Sequence, residues 1–228
     1  MQAIQTVFVP EIDLNKLCME SSQNMSSRKV ARVERATVEL RETRANLLEA
    51  AAKLIRISGV HSLTHAAIAA EAGVARQSVY RYFKDPEEVV VALAENLGVV
   101  VRDTFNTRFE DGGPDPLART SKALASMLVS DSVLNKALYL SAPLLIAQGK
   151  SPVFPNEKNE EALGRQLEAS GLAESSEGTD MLDIVVTYFY GLVYKWATGS
   201  KSDKEFCAAM GRLASDITEL AAARRASL

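Results

Sequence analysis

The sequence predicts an all-α chain, a small three-helix head followed by a larger helical body. Three observations carry that expectation. Hydrophobic residues make up 47% of the 228 residues and aromatics only 6%, and strand-like alternation is almost absent. In several long segments apolar positions recur every three or four residues, the helical period. Between Leu63 and Val89, two short helical stretches flank Gly73, and the second gathers polar and aromatic groups on one side. The length suffices for a small domain plus a medium one, each with its own core.

Residues 1 to 25 have no sustained period. They carry one apolar patch, Val7-Phe8-Val9, ended by Pro10, and read as a flexible arm; Met19 and Met25 leave open a native start further in. Residues 26 to 40 are charged and free of Gly and Pro, so they extend the first helix backward. That helix runs in full from 41 to 58, with Leu47, Leu48, Ala51, Leu54 and Ile55 as its apolar stripe. Thr64 is a good N-cap for the second helix, and Ala66 to Ala72 is a nearly unbroken run of helix formers. Gly73 supplies the residue that turns left-handed at a helix end. In the third helix, Val79 and Phe83 fall four apart on the inner side.

Asp85-Pro86 then opens a long fourth helix, since Pro suits the first position after an Asp cap. Val90, Leu93, Leu97, Val101 and Phe105 point inward along it, and Asp111-Gly112-Gly113-Pro114 stops it near residue 109. Further helices follow at 116–129 and 131–148, the latter kinked or split by Pro143. After a loop at 149–155 come a helix at 157–170 and a Gly- and Ser-bearing linker at 171–178. In the last two helices, Leu182, Val185, Phe189, Leu192 and Trp196 form one seam, and Phe206, Met210, Leu213, Ile217 and Leu220 another. Two such seams joined by Gly199-Ser200-Lys201-Ser202 make an antiparallel hairpin.

The outer side of the third helix carries the chemistry. Arg76, Gln77, Ser78, Tyr80, Arg81 and Tyr82 can each meet a phosphate or a base edge, which is how a helix-turn-helix reads. Arg76, Gln77, Ser78 and Arg81 are the candidates for base edges, because amide and guanidinium groups make the informative bidentate contacts. Thr64, Tyr80, Tyr82 and Lys84 are the candidates for phosphate, with Arg44 added from the basic run before the motif. Tyr80 has a rival reading as an aromatic at the core edge.

The formal charge of −3 looks wrong for this role until it is divided. From Ser26 to Val89, eleven basic residues face eight acids, a balance of +3; from Val90 onward, fourteen face eighteen, a balance of −4. A local basic face is what double-stranded DNA requires. Six of the basic residues lie between Arg28 and Arg44. That extension reads either as an arm for an adjacent minor groove or as a solvated helix.

The motif resembles the TetR family of transcriptional regulators. The matching residues are Gly59, Leu63-Thr64, Ile68-Ala69, Ala72-Gly73-Val74 and Val79-Tyr80-Arg81-Tyr82-Phe83, followed by Asp85-Pro86-Glu87-Glu88-Val89. They span roughly residues 41 to 95. Two positions depart from the family's usual pattern. Ala75 stands where a Ser commonly caps the recognition helix, and Pro86 where many relatives have a phosphate-gripping Lys. The resemblance implies a helix-turn-helix DNA-binding domain over 26–85 and a helical ligand-binding and dimerisation domain over 86–228, after the arm at 1–25.

For the body, the resemblance is one of layout. It implies a pocket, for which Phe105, Phe109, Met127, Tyr139, Leu144, Phe154 and Tyr188 are the candidate walls; its effector would be a small lipophilic molecule, because inward polar groups are few. Ile184, Tyr188, Gly191 and Tyr194 add apolar surface beside the first C-terminal seam, more than one partner helix can cover. The economical solution is a homodimer, with Ile184, Tyr188, Gly191, Trp196, Met210, Leu213 and Ile217 at its interface. A hairpin packed wholly within one chain is the alternative. A two-fold dimer requires a roughly palindromic operator.

Other classes fare poorly. His61 and His65, the only histidines, pair with no Cys or carboxylate at metal-ligand spacing and read as solvated or capping residues. No nucleophile elbow or phosphate-cradling Gly loop is present, so neither catalytic residues, cofactor nor metal is expected. No apolar run is long enough to span a bilayer, and Glu11, Asp13 and Glu20 spoil a signal peptide. Cys18 and Cys207 lack redox spacing, which fits a reducing cytoplasm. The expectation is a cytoplasmic, dimeric repressor released from its operator by a lipophilic effector. A regulator governed by a protein partner, and an all-helical enzyme carrying this head, are the alternatives.

Overall fold

The computed structural model describes residues 27–110, 113–150, 157–172 and 178–225. The arm at 1–25, the helix stop at Asp111-Gly112, most of the loop around Phe154 and most of the linker before residue 178 lie outside the described residues. Among those described, the chain forms nine α-helices and one 3₁₀ turn, with no strand. The helices are α1 (Ser27–Ser58), α2 (His65–Ala72), α3 (Arg76–Tyr82), α4 (Pro86–Glu110), α5 (Pro116–Ser130), α6 (Ser132–Ala147), α7 (Glu157–Ala169), α8 (Gly178–Ala197) and α9 (Asp203–Arg225). Two compact units result, one up to Asn96 and one from Leu97 onward.

In the first unit, α1 is one continuous helix of 32 residues, so the charged extension and the first full helix are a single element. Among its described side chains the buried face lies in the second half: Leu47, Leu48, Ala51 and Ile55 are essentially inaccessible, whereas Val33, Val38 and Leu40 are about half exposed. Helix α2 packs on α1 and α3 on α2, enclosing Ile68, Ala69, Val79 and Phe83. His65 departs from expectation. It is buried, and its Nε2–H donates to the Phe83 carbonyl at 3.0 Å, tying the first turn of α2 to the end of α3. A carbonyl can only accept, which fixes the proton on that nitrogen.

In the second unit, α9 packs against α5 and α8, and α8 also contacts α6 and α7. The C-terminal seams are the centre of this core. Trp196 and Phe206 stack at 4.7 Å across the α8–α9 corner, and Trp196, Phe206, Met210, Leu213 and Ile217 are at most 2% exposed. This corrects one expectation. Trp196, Met210, Leu213 and Ile217 are interior within a single chain, because the two seams face each other and α5, and they are not available to a second copy. What stays outside on α8 is Tyr188, Gly191 and Tyr194, with Ile184 half-buried.

Polar groups brace the same corner. The Trp196 indole donates to Asp203 Oδ1 at 2.7 Å, Lys136 of α6 donates to the same oxygen at 2.9 Å, and its ammonium lies 4.9 Å from the Trp196 ring centre. Asn135 donates to the Leu128 carbonyl at 2.9 Å, satisfying one of the acceptors left open at the end of α5. The fully buried Gln166 reaches from α7 to the Phe105 carbonyl at 2.7 Å. Helix α6 is not split at Pro143. Proline forfeits only its own N–H, and this one lies on the exposed side.

Two predictions follow from these braces. His65→Ala leaves the Phe83 carbonyl without its donor, which should cost about 1–3 kcal/mol. The loss should be read by hydrogen–deuterium exchange as faster exchange across α2 and α3, with the second unit unchanged. At the other brace, hydrogen bonds from Lys136 and Trp196 hold the Asp203 carboxyl below the usual carboxylate range. A lowered carboxyl contributes stability above its unfolded value, about 3.9, and loses it as the pH falls through the folded value. Urea titrations should therefore find Asp203→Asn less stable than the parent at pH 7, with the gap closing below about pH 4.

Candidate functional site

The head presents a seven-residue helix by one face. Thr64 starts α2 from an extended backbone, its hydroxyl oxygen accepting the Ala67 N–H at 3.0 Å. Helix α2 ends at Gly73, whose φ of 68° and ψ of 31° are left-handed, and the Val74 N–H returns to the Ala69 carbonyl at 3.0 Å. A Cβ on Gly73 would meet no neighbour within 4 Å, so backbone conformation and not crowding calls for glycine. Ala75 gives α3 no side-chain cap. The Ser78 N–H bonds back to the Ala75 carbonyl at 2.8 Å, which leaves the Arg76 and Gln77 N–H groups to a ligand or water.

The structure brings most of the predicted contact residues to one surface. Arg76, Gln77, Tyr80 and Arg81 are exposed, as are Thr64 and Lys84, while Ser78, Tyr82 and Arg44 are half-buried. Beneath them, Val79 and Phe83 are at most 2% exposed. Tyr80 packs at the edge of the core and is still exposed. One face stacks on His65 at 4.0 Å, while its hydroxyl points outward and accepts from Arg76 at 2.8 Å. Arg44 has work inside the head, with its guanidinium 5.4 Å from the Phe83 ring centre. Burial pushes the nearby Glu95 carboxyl up, and the charge of Arg44 partly offsets this.

The start of α4 explains how the chain manages with Pro86. The Glu88 N–H donates to Asp85 Oδ1 at 2.9 Å, and Glu88 Oε2 accepts the Lys84 N–H at 2.7 Å, a reciprocal cap. Pro86 offers no N–H, and Glu87 and Glu88 make this first turn acidic. The helix start is thus poorly suited to a phosphate, which leaves the Lys84 side chain as the nearby cation.

The second unit has a partly open apolar cavity with room of about 40 Å³. Phe105 and Tyr139 line it as expected. Met127, Leu144 and Tyr188 do not. Leu144 is 63% exposed on the outer side of α6. Tyr188 is replaced by its neighbours, because successive helical residues turn by about 100°: Phe189 and Tyr190 face the cavity, while the Tyr188 hydroxyl donates to Asp216 at 2.8 Å. The side chain of Phe109 and all of Phe154 lie outside the described residues. Leu117, Ser121 and Leu124 of α5, missed from the sequence, follow its inward period. Asn159 and Glu160 had no such signal, since a polar residue on a cavity wall looks like any solvated one. Tyr139 and Tyr190 also line an adjoining groove of about 260 Å³ with Pro143, Ile146 and Tyr194.

Residues 47–93 match the family model described as "Bacterial regulatory proteins, tetR family". A comparison with curated protein sequences found no match. Among solved structures, the chain is similar to Thermus thermophilus FadR, a TetR-family transcriptional repressor in complex with lauroyl-CoA. The two share 17% identity over 77% of this chain and 93% of that one, with a TM-score of 0.58. It is also similar to SmeT, the repressor of the Stenotrophomonas maltophilia multidrug efflux pump SmeDEF, at 22% identity over 78% and 89% of the chains and a TM-score of 0.55. A complex of SmeT with triclosan matches at 19% identity over 79% and 91%, also with a TM-score of 0.55. At such identities the likeness is one of fold. Residues 47–93 thus carry the sequence pattern of the tetR family's regulatory head, and the chain shares the fold of these TetR-family structures.

Proposed function

We propose that this protein is a DNA-binding transcriptional regulator, a dimeric repressor released from a palindromic operator by a small lipophilic effector. One observation carries the reading. Helix α3 and its C-cap spend Val79 and Phe83 on the core, while Arg76, Gln77 and Arg81 stay exposed beside Tyr80, which packs on His65 yet remains accessible. Arg76, Gln77, Ser78 and Arg81 would read base edges in a major groove. Thr64, Tyr80, Tyr82, Lys84 and Arg44 would hold phosphates. The exposed Arg32 and Arg35 of α1 would add contacts to an adjacent stretch of backbone.

Dimerisation would use the outer face of α8. Gly191 supports this. A glycine inside a helix costs about 1 kcal/mol relative to alanine, yet a Cβ there would meet nothing within 4 Å inside the chain. Its absence would let a second copy approach closely, flanked by Tyr188, Tyr194 and Ile184. Effector action would run along α4, which is continuous from Val89 and Leu93 in the head to Val101 and Phe105 on the cavity wall. An effector that binds better to the state unfit for DNA lowers operator affinity by that difference. The lauroyl-CoA and triclosan held by two structural relatives support a lipophilic occupant.

Two measurements test this reading. Genomic fragments retained by the purified protein supply the operator. On it, Arg81→Ala should weaken specific binding by about 1–3 kcal/mol, roughly ten- to a hundredfold, without changing the melting temperature. Undiminished binding in a mobility-shift titration rejects Arg81 as a base contact. Gly191→Arg should yield monomers in sedimentation velocity with helicity retained; an unaltered dimer places the interface elsewhere.

A further inference from the structure

The cavity in the second unit has an almost wholly apolar wall with one charged residue among those that line it. Among its described lining residues, Glu160 is the one acid and no base accompanies it. The other polar groups are neutral. The Ser121 hydroxyl is committed to the Leu117 carbonyl at 2.8 Å. Burial pushes the Tyr139 and Tyr190 hydroxyls well above the usual tyrosine range, and the charge of Glu160 pushes Tyr190 further. Four aromatic side chains, Phe105, Tyr139, Phe189 and Tyr190, line the same cavity as Glu160, the last two edge to face at 5.5 Å. Aromatic faces and an anion both attract a cation and both repel an anion's charge.

We infer that this cavity takes a lipophilic molecule bearing a cationic head, with Glu160 as its counter-charge and the aromatic side chains as its walls. The inference rests on the effector reading above and adds the charge class of the ligand. A lipophilic carboxylate or phosphate of the same size would set its charge against Glu160 with no described base to offset it. The space of about 40 Å³ is small, but Tyr139 and Tyr190 form a wall shared with the groove of about 260 Å³. An elongated molecule with its head at Glu160 would pass these two rings and place its tail toward Pro143 and Ile146.

Three probes with one carbon skeleton isolate the charge: phenylbutylamine, phenylbutanol and phenylbutanoate, each titrated calorimetrically into the full chain at neutral pH. The protonated amine should bind at least about tenfold more tightly than the carboxylate, a modest figure for a half-exposed contact pair. The alcohol should fall between them. Glu160→Gln should remove the amine's advantage while leaving the affinity for the alcohol unchanged, which also shows that the variant is folded. A carboxylate that binds as well as the amine overturns the inference and leaves the effector reading standing. Retained preference for the amine in Glu160→Gln overturns the assignment to that residue. If none of the three binds, the effector reading fails and this inference with it.

Discussion

Helix α3 is too short to exist alone, and the organisation of the head answers that constraint. Seven residues make two turns, well below the length at which an isolated helix is marginal in water. Its conformation must come from tertiary contacts, and those contacts must leave one face untouched. Val79 and Phe83 supply the buried face. His65 holds the far end by the Phe83 carbonyl, and Arg44 covers the Phe83 ring from α1. The outward residues inherit their position from this support. Their display is therefore set by packing, and a change in the core beneath would misplace them without touching them.

The body solves a different problem. Its helices are long enough to persist, so the question is which apolar faces cover which. The Trp196–Phe206 stack, locked by Asp203 and Lys136, closes the α8–α9 corner and turns both seams inward. With the seams spent inside the chain, α8 keeps Tyr188, Gly191 and Tyr194 on its exposed side. The same inward turn brings Val185, Phe189 and Leu213 to the cavity wall. Core, cavity and outer face are thus three consequences of one rotational setting of α8.

Much of this was legible in advance, and the misses share a cause. Helix positions, the Gly73 turn, the Asp85-Pro86 start and the buried series from Val90 to Phe105 follow from local rules of propensity, capping and period, which involve only near neighbours. His65 was misread because a histidine in a first turn looks solvated until a carbonyl eighteen residues away meets it. Tyr188 and its neighbour Phe189 differ by one step around a helix, and only the packing of α8 decides which points inward. Trp196, Met210, Leu213 and Ile217 were rightly apolar, but the partner that covers them is their own chain.

The sequence by itself determined the helical class, the order of the helices, the presence of a helix-turn-helix and the separation of a basic head from an acidic body. These rest on periodicity, capping and charge, which are local or additive along the chain. The tertiary structure alone decided which apolar stripe meets which, where the cavity lies and that Glu160 stands on its wall. Those depend on six helices from 97 to 228 meeting at one place. The period of a helix states that a face is apolar, and only the assembled fold states what covers it.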